Sequence, residues 1–295
     1  MKHAYLILTH DEPEVLQLLL QALDDYRNDV FIHFDRKCEV VPEIITDKSK
    51  VFILEDRLDV RWGDQSLVEV EMLLFERAYQ RQEYSYYHLL SGVDMPIKSQ
   101  DYIHSFFEEH KGKEFIGFTQ GDTDAEITRK VRRYHAFPKE FRLKNGVRAF
   151  FMKAIRKIFL ELQVVFRIKR HSSIVFKKGT NWVSVSNDLV ELLLSKKREI
   201  QKMYTYSFCA DEIFIQTICW NSKFKDRVYD LENSRNSSKR MIRWKNNEIK
   251  DWNKEDVVFL LKSTGLFARK FSKRTIEVVH AIQQGIQLEE EDYDC

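Results

Sequence analysis

The sequence predicts an α/β protein, a mostly parallel sheet wrapped by helices. Two observations carry this. Short apolar runs of strand length alternate with longer runs of helical period through the first hundred residues, and 43% hydrophobic with 13% aromatic content supplies a sizeable core. The first run, AYLILTH, reads as a buried strand, after which residues 11–13 cap an apolar-periodic helix through EVLQLLLQALDD. DVFIHFD is a second strand ending in Asp35, and KVFILE a third. SLVEVEMLLFERAYQ follows as an amphipathic helix, with Ser66 and Glu69 spaced as a capping box. YSYYHLLSG is the fourth strand and EFIGFTQ a later one. In such a sheet ligands gather beyond the carboxyl ends of the strands. Asp35, Arg61, Trp62, Gly63 and Asp94 fall at such ends.

The length of 295 residues allows one large or two small domains, and the composition excludes a disordered chain. Forty-eight basic residues nearly cancel 46 acidic ones, so position matters more than the total. The four cysteines show no CxxC or Cys/His ligand spacing and read as reduced residues of a reducing compartment. The N-terminus reads as a strand rather than an export signal, and no run approaches the roughly 18 apolar residues of a membrane span. A soluble, cytoplasmic protein is expected.

The pattern changes in residues 129–178, which hold 16 Lys or Arg against only Glu140 and Glu161. Within it VRAFFMKAIRKIFLELQVVFRIKR mixes apolar residues and cations at helical spacing. Two readings stand: a helix lying on an anionic membrane surface, or a helix packed on the core with a solvated basic face. Nucleic acid is not expected as a partner, because no recognised nucleic-acid motif accompanies the charge.

Compact patterning then returns, with GTNWVSVS as a strand and NDLVELLLSKKREI as a helix opened by Asn187 or Asp188. In FCADEIFIQT, Asp211 suits a cap and Glu212 the first turn of a helix, where the macrodipole favours a carboxylate. EDVVFLLKSTG is a helix that Gly265 can stop, and Arg269 and Lys270 can be cations at its end. A second reading of these residues is chemical. An apolar run ending in Asp94, an acid at Glu212 that can take a proton, and two cations for a diphosphate together suit chemistry on a nucleotide sugar.

Seven segments, AYLILTHDEPEVLQLLLQAL, VFIHFDRK, YYHLLSGVDMPIKS, RRYHAF, GTNWVSVSNDLVELLL, FCADEIFIQT and LFARKF, resemble in that order the core 2/I-branching beta-1,6-N-acetylglucosaminyltransferase family, to which peptide O-xylosyltransferases also belong. With no lumenal anchor or stem ahead of it, the chain looks like a bacterial member. The resemblance implies a GT-A-like Rossmann-type fold in a single domain: a nucleotide-sugar half at 1–120, a basic insertion at 121–180 and an acceptor and catalytic half at 181–295. It further implies an inverting transferase that uses no metal. Carried over residue by residue, it makes Glu212 the catalytic base, Lys270 and, for the xylosyltransferase branch, Arg269 the diphosphate ligands, and Asp35 the uracil-end contact. The branching enzymes' further diphosphate arginine falls on Asn247 here. Arg240, Arg243 or Lys245 can substitute, and Arg133 is a further weak candidate.

Inverting transfer is a single displacement, needing one base for the acceptor hydroxyl and a positive group for departing UDP. Glu212 and Lys270 suit those roles. Two Asp-x-Asp pairs, Asp122/Asp124 and Asp292/Asp294, are present, but the family pattern places neither at the nucleotide, so no metal is expected. Trp182 and Trp244 suit either stacking on a sugar ring or core packing. Asn181 stands where xylosyltransferases carry an aspartate, and an amide is no base at neutral pH. His10, His33 and His88 read as structural or as peripheral nucleotide contacts. The expected partners are a UDP-sugar, most simply UDP-N-acetylglucosamine, and a glycan or lipid-linked glycan acceptor at the inner face of a membrane. Xylosyl transfer and non-catalytic binding of a sugar nucleotide or glycan are the alternatives.

Overall fold

The computed structural model describes residues 1–142, 146–246 and 248–293; Asn247 and Asp294 lie outside the described residues. Strands β1 (His3–Thr9), β2 (Asn28–Phe34), β3 (Lys50–Ile53) and β4 (Tyr86–Ser91) form a parallel array in the order β3-β2-β1-β4. β1 and β2 are buried almost throughout, which is why their sequences read as near-continuous apolar runs. Successive side chains of β1 serve opposite faces. Tyr5 and Ile7 pack with helices α1 (Pro13–Ala22) and α3 (Gln100–Glu109), whereas Ala4 and Leu6 pack with α2 (Ser66–Arg81).

The chain's second half completes the first half's sheet. After α4 (Asp124–Lys130) and α5 (Val147–Val165), strand β6 (Ser184–Ser186) pairs antiparallel with β4. α6 (Asn187–Ser195), α7 (Lys197–Tyr204) and α8 (Phe214–Trp220) follow. A second sheet joins β5 (Asp94–Pro96) to β7 (Arg240–Ile242), which follows α9 (Ser234–Ser238), and to β10 (Phe267–Arg269). The hairpin β8–β9 (Trp244–Lys245, Glu248–Ile249), α10 (Val257–Lys262) and α11 (Ile276–Tyr293) complete the chain. This is the expected α/β, GT-A-like architecture: a parallel-rich central sheet flanked by helices.

Several local expectations are corrected. Helix α1 is entered through Glu12, in the left-handed region at φ 55, with Pro13 in its first turn and no side-chain cap. Asp64, not a Ser66/Glu69 box, closes the start of α2 by accepting from the Ser66 amide at 2.8 Å and from its hydroxyl. Ser186 caps α6, in place of Asn187 or Asp188. EFIGFTQ is not a full strand, since Glu114 and Phe115 make only isolated bridges. LFARKF lies on a strand rather than a helix end, and α10 stops at Lys262, before Gly265.

The helix of the basic stretch does not pack an apolar face on the core, although its cations Arg148, Lys153 and Lys157 are exposed. In α5 only Ala149 and Gln163 are buried. Phe150, Phe151, Ile155, Ile158, Leu162 and Val165 are exposed.

Candidate functional site

The strand order changes direction at β1. From there β2 and β3 extend one way and β4 the other, so the carboxyl ends of β1 and β4 diverge and open a crevice. Gly92 permits their close approach: a Cβ there would sit 2.5 Å from Thr9 Oγ1. The crevice is a cleft of about 1870 Å³. Asp35, Arg61, Trp62, Glu212, Trp182, Arg240, Arg269 and Lys270, drawn from segments far apart in sequence, all line it.

At one end, Asp35 follows β2 and is nearly buried, accepting from the Lys37 amide at 2.8 Å, the Lys37 ammonium at 2.9 Å and the Val60 amide at 3.2 Å. Lys37 also reaches Asp59 at 2.9 Å, and Arg61 grips Asp59 through Nε at 2.9 Å and Nη2 at 2.7 Å. Arg61 and then Lys37 pull the Asp59 carboxyl down to about 2. Trp62 is exposed, with the Arg142 guanidinium over its ring at 4.5 Å. Gly63 does not line the cleft. Its carbonyl accepts from Cys209 at 2.9 Å, and at φ 83 a Cβ would strike Phe208, so it splices this loop to the segment carrying Glu212. His33 accepts from the Leu58 amide at 2.8 Å, and burial lowers its pKa to about 4. It also lines the cleft, so it braces the Leu58 loop from within the site.

Glu212 ends the 3-10 turn Ala210–Glu212, and its Oε2 meets the ammonium groups of Lys130 at 2.7 Å and Lys178 at 3.6 Å. Both lysines also meet Glu126, at 2.9 and 3.0 Å, giving two acids and two cations in one network. Burial alone would lower Lys130, but Glu212 and Glu126 outweigh it and raise its pKa. The Glu212 carbonyl accepts from Gly179 at 2.9 Å. Gly179 is obligatory there, because a Cβ would lie 1.7 Å from the Gly117 carbonyl oxygen.

Next to Glu212 stands Asp211, half-buried and itself lining the cleft, and close to it lies the fully buried Glu71. Asp211 is no helix cap: its Oδ1 has no hydrogen-bond partner among the described residues. Burial, then the neighbouring Glu212, pushes its pKa up to about 7. Glu71 is held well above the usual carboxylate range by burial and then by Asp211, and accepts from the Asn181 amide at 2.8 Å. Asn181 thus faces a buried acid.

At the other end, Asp94 is buried and does not line the cleft. Its Oδ2 accepts from the Ser91 amide at 2.9 Å, and its Oδ1 pairs with Arg269 at 2.6 Å. Asp94 therefore positions Arg269, whose guanidinium also bonds Ser91 and stacks 4.3 Å over Trp182. One face of Trp182 is thereby taken by a cation. Lys270 is 41% exposed and its closest acid, Asp251, is 3.9 Å away, so its charge is little neutralised. Arg240 is buried on Val183 and Ser184 at 2.9 and 3.0 Å, and burial lowers its pKa to about 10. Arg243 is spent on the Asp251 carbonyl at 2.8 Å and on Asp256 at 3.5 Å. Trp244 is exposed on the hairpin at the cleft edge, so it is not a core residue.

Arg133, Arg243, Lys245 and the Asp122/Asp124 pair do not line the cleft. Asp122 Oδ1 instead accepts from the Asp124 amide at 2.9 Å. His88 is buried between Ser184 at 2.8 Å and His3 at 3.1 Å, a structural role. Sequence reasoning missed Lys130, Lys178, Ser91, Arg235 and Lys250. The Glu126/Lys130 spacing of four was the one available local signal. Among the described residues no three His, Cys, Asp or Glu side chains converge as a metal site.

The arrangement can hold an anionic ligand against Arg269 and Lys270 while presenting a fixed carboxylate to a hydroxyl. No curated protein matches the chain. A family model described as Core-2/I-Branching enzyme matches residues 3–264. The chain therefore belongs to the Core-2/I-Branching enzyme family, and is a glycosyltransferase.

Proposed function

We propose that the protein is an inverting transferase that moves a sugar, N-acetylglucosamine in the simplest case, from a UDP-sugar to a glycan hydroxyl. The observation that carries this is the shared cleft lined by Asp35, Glu212 and Lys270 at the switch point of the sheet. Asp35, Arg61 and Trp62 take the uracil end. Lys270, with Arg269 set by Asp94 and with Arg235 and Lys250 also lining the cleft, takes the diphosphate in place of a metal. The Gly63 carbonyl fixes the Glu212 segment against the uridine loop.

In the single displacement, Glu212 receives the acceptor hydroxyl's proton as that oxygen bonds to the anomeric carbon and the bond to UDP breaks. Both lysine contacts fall on Oε2, leaving Oε1 for the proton. The leaving diphosphate gains charge in the transition state, so a fixed cation acts more strongly there than in the ground state. Arg240 and Arg243, each committed to backbone carbonyls, serve as supports for this wall.

The test is UDP release with a panel of UDP-sugars, by the wild type and Glu212→Gln. Turnover with UDP-N-acetylglucosamine that the variant lacks is the expected result. Binding of UDP-sugar with no release by the wild type on any acceptor would replace the enzyme by a sugar-nucleotide-binding protein.

A further inference from the structure

α5 is amphipathic with its faces reversed relative to an ordinary surface helix. At about 100° per residue, Val147, Phe150, Phe151, Ile158, Leu162 and Val165 share one face. These side chains are exposed, Phe150 by 70%, Ile158 by 60% and Val165 by 73%. The opposite face is the one held by the body, and it is held by polar groups. Gln163 bonds the Tyr134 amide and carbonyl, both at 2.8 Å, and Arg156 bonds the Glu140 carbonyl at 2.6 Å while covering the Phe141 ring. A monomer rarely leaves such a stripe bare in water.

Charge identifies what covers it. Lys153 and Lys157 lie along one flank and Arg148, paired with Glu140 at 2.6 Å, on the other, and Arg167 and Lys169 follow the helix, all exposed; the single helix acid, Glu161, falls within the stripe between Phe150 and Val147. A second copy seated on the stripe would bring these cations against their own kind. An anionic sheet of headgroups would neutralise them while its acyl boundary took the apolar side chains. The helix also borders the site, since Arg148 of α5, with Lys139, Glu140 and Arg142 ahead of it in sequence, lines the cleft. α5 is too polar to cross a bilayer, no helix of the described residues being long and apolar enough to do so.

We propose that α5 lies flat in the interface of an anionic bilayer, apolar stripe inward and flanking cations on the headgroups, holding the mouth of the cleft at the lipid surface. The inference goes beyond the proposed reaction and does not depend on it. A soluble acceptor would be used equally well with α5 undocked, and an acceptor carried on a lipid would be presented to the cleft.

Flotation with phosphatidylglycerol/phosphatidylethanolamine vesicles, and with pure phosphatidylcholine vesicles, tests it. The protein should float with the anionic vesicles at low salt, at least about tenfold less at high salt or on phosphatidylcholine. Phe150→Glu/Ile158→Glu should abolish flotation while leaving the melting temperature and UDP release on soluble acceptor unchanged, because neither side chain is buried. Lys153→Gln/Lys157→Gln should weaken binding by about 25-fold, about fivefold per cation. Absence of flotation at low salt would overturn the proposal. So would binding indifferent to Phe150→Glu/Ile158→Glu, or a concentration-dependent dimer that this variant dissolves, which would make the stripe a self-interface.

Discussion

Replacing Glu212 by Gln removes a charge and a proton acceptor with almost no change of shape. The Gln amide will turn its oxygen to Lys130, which offers only donors, and so present NH₂ where the proposed mechanism has Oε1 face the acceptor hydroxyl. An amide cannot take that proton, and losing a general base costs about 10²–10⁴ in rate, a barrier higher by about 3–5 kcal/mol. Ground-state affinity for UDP should hold within about twofold, because the carboxylate contacts lysines rather than the diphosphate wall. The fold should hold too. Lys130 is buried, but Glu126 remains 2.9 Å from it, and the Glu212 side chain is 36% exposed. The stability cost therefore falls near about 1 kcal/mol, well short of that for orphaning a fully buried charge. Steady-state UDP release, calorimetric titration with UDP and a thermal melt separate the three effects. Turnover near wild type would refute Glu212 as base, and a parallel loss of UDP affinity would make it a binding residue instead.

Three further outcomes follow from the same geometry. Lys270→Ala should raise the UDP dissociation constant about tenfold and slow turnover further, with wild-type activity indifferent to EDTA; activity lost in EDTA and restored by manganese would overturn the cation-for-metal reading. Gly179→Ala should depress the melting temperature sharply, since its Cβ would meet the Gly117 carbonyl oxygen at 1.7 Å, and a wild-type melt would show that the crossing relaxes. Asp211 has its pKa raised to about 7 by burial and then by Glu212, so the native state holds its proton where the unfolded chain has released it. Stability should decline as pH rises from about 4 toward 7, by roughly 4 kcal/mol at most. Asp211→Asn should flatten that decline in melts recorded across pH 4.5–8, and identical pH profiles would refute the assignment.

The first sheet was legible because interior parallel strands announce themselves as unbroken apolar runs, as HAYLILT and NDVFIHF do. The second sheet was not, because strands of three residues such as β5, β7 and β10 have no period to read. LFARKF therefore passed for a helix end. Cap positions failed for a related reason: Asp64 outcompetes the Ser66/Glu69 box through a turn whose form depends on the whole loop. Asp35, Glu212 and Lys270, which line one cleft, could be picked out through the motifs that contain them. The partners of Glu212 were hidden, since Lys130 reaches it across 82 residues and sits in a run of cations that composition assigns to the surface.

The basic helix shows where such reasoning breaks. Periodicity in residues 147–165 reveals that the apolar side chains gather on one face, but says nothing about which face meets the protein. The usual assumption puts polar side chains in water, and it fails when the body supplies hydrogen bonds and carbonyls instead. Gln163 satisfies both ends of its amide on Tyr134, and Arg156 lodges on Glu140 and Phe141. These contacts fix the rotation of α5 about its axis. Once that rotation is fixed by polar anchors, the apolar stripe has nowhere to point but outward, and the cations beside it become the edge of a surface rather than its centre.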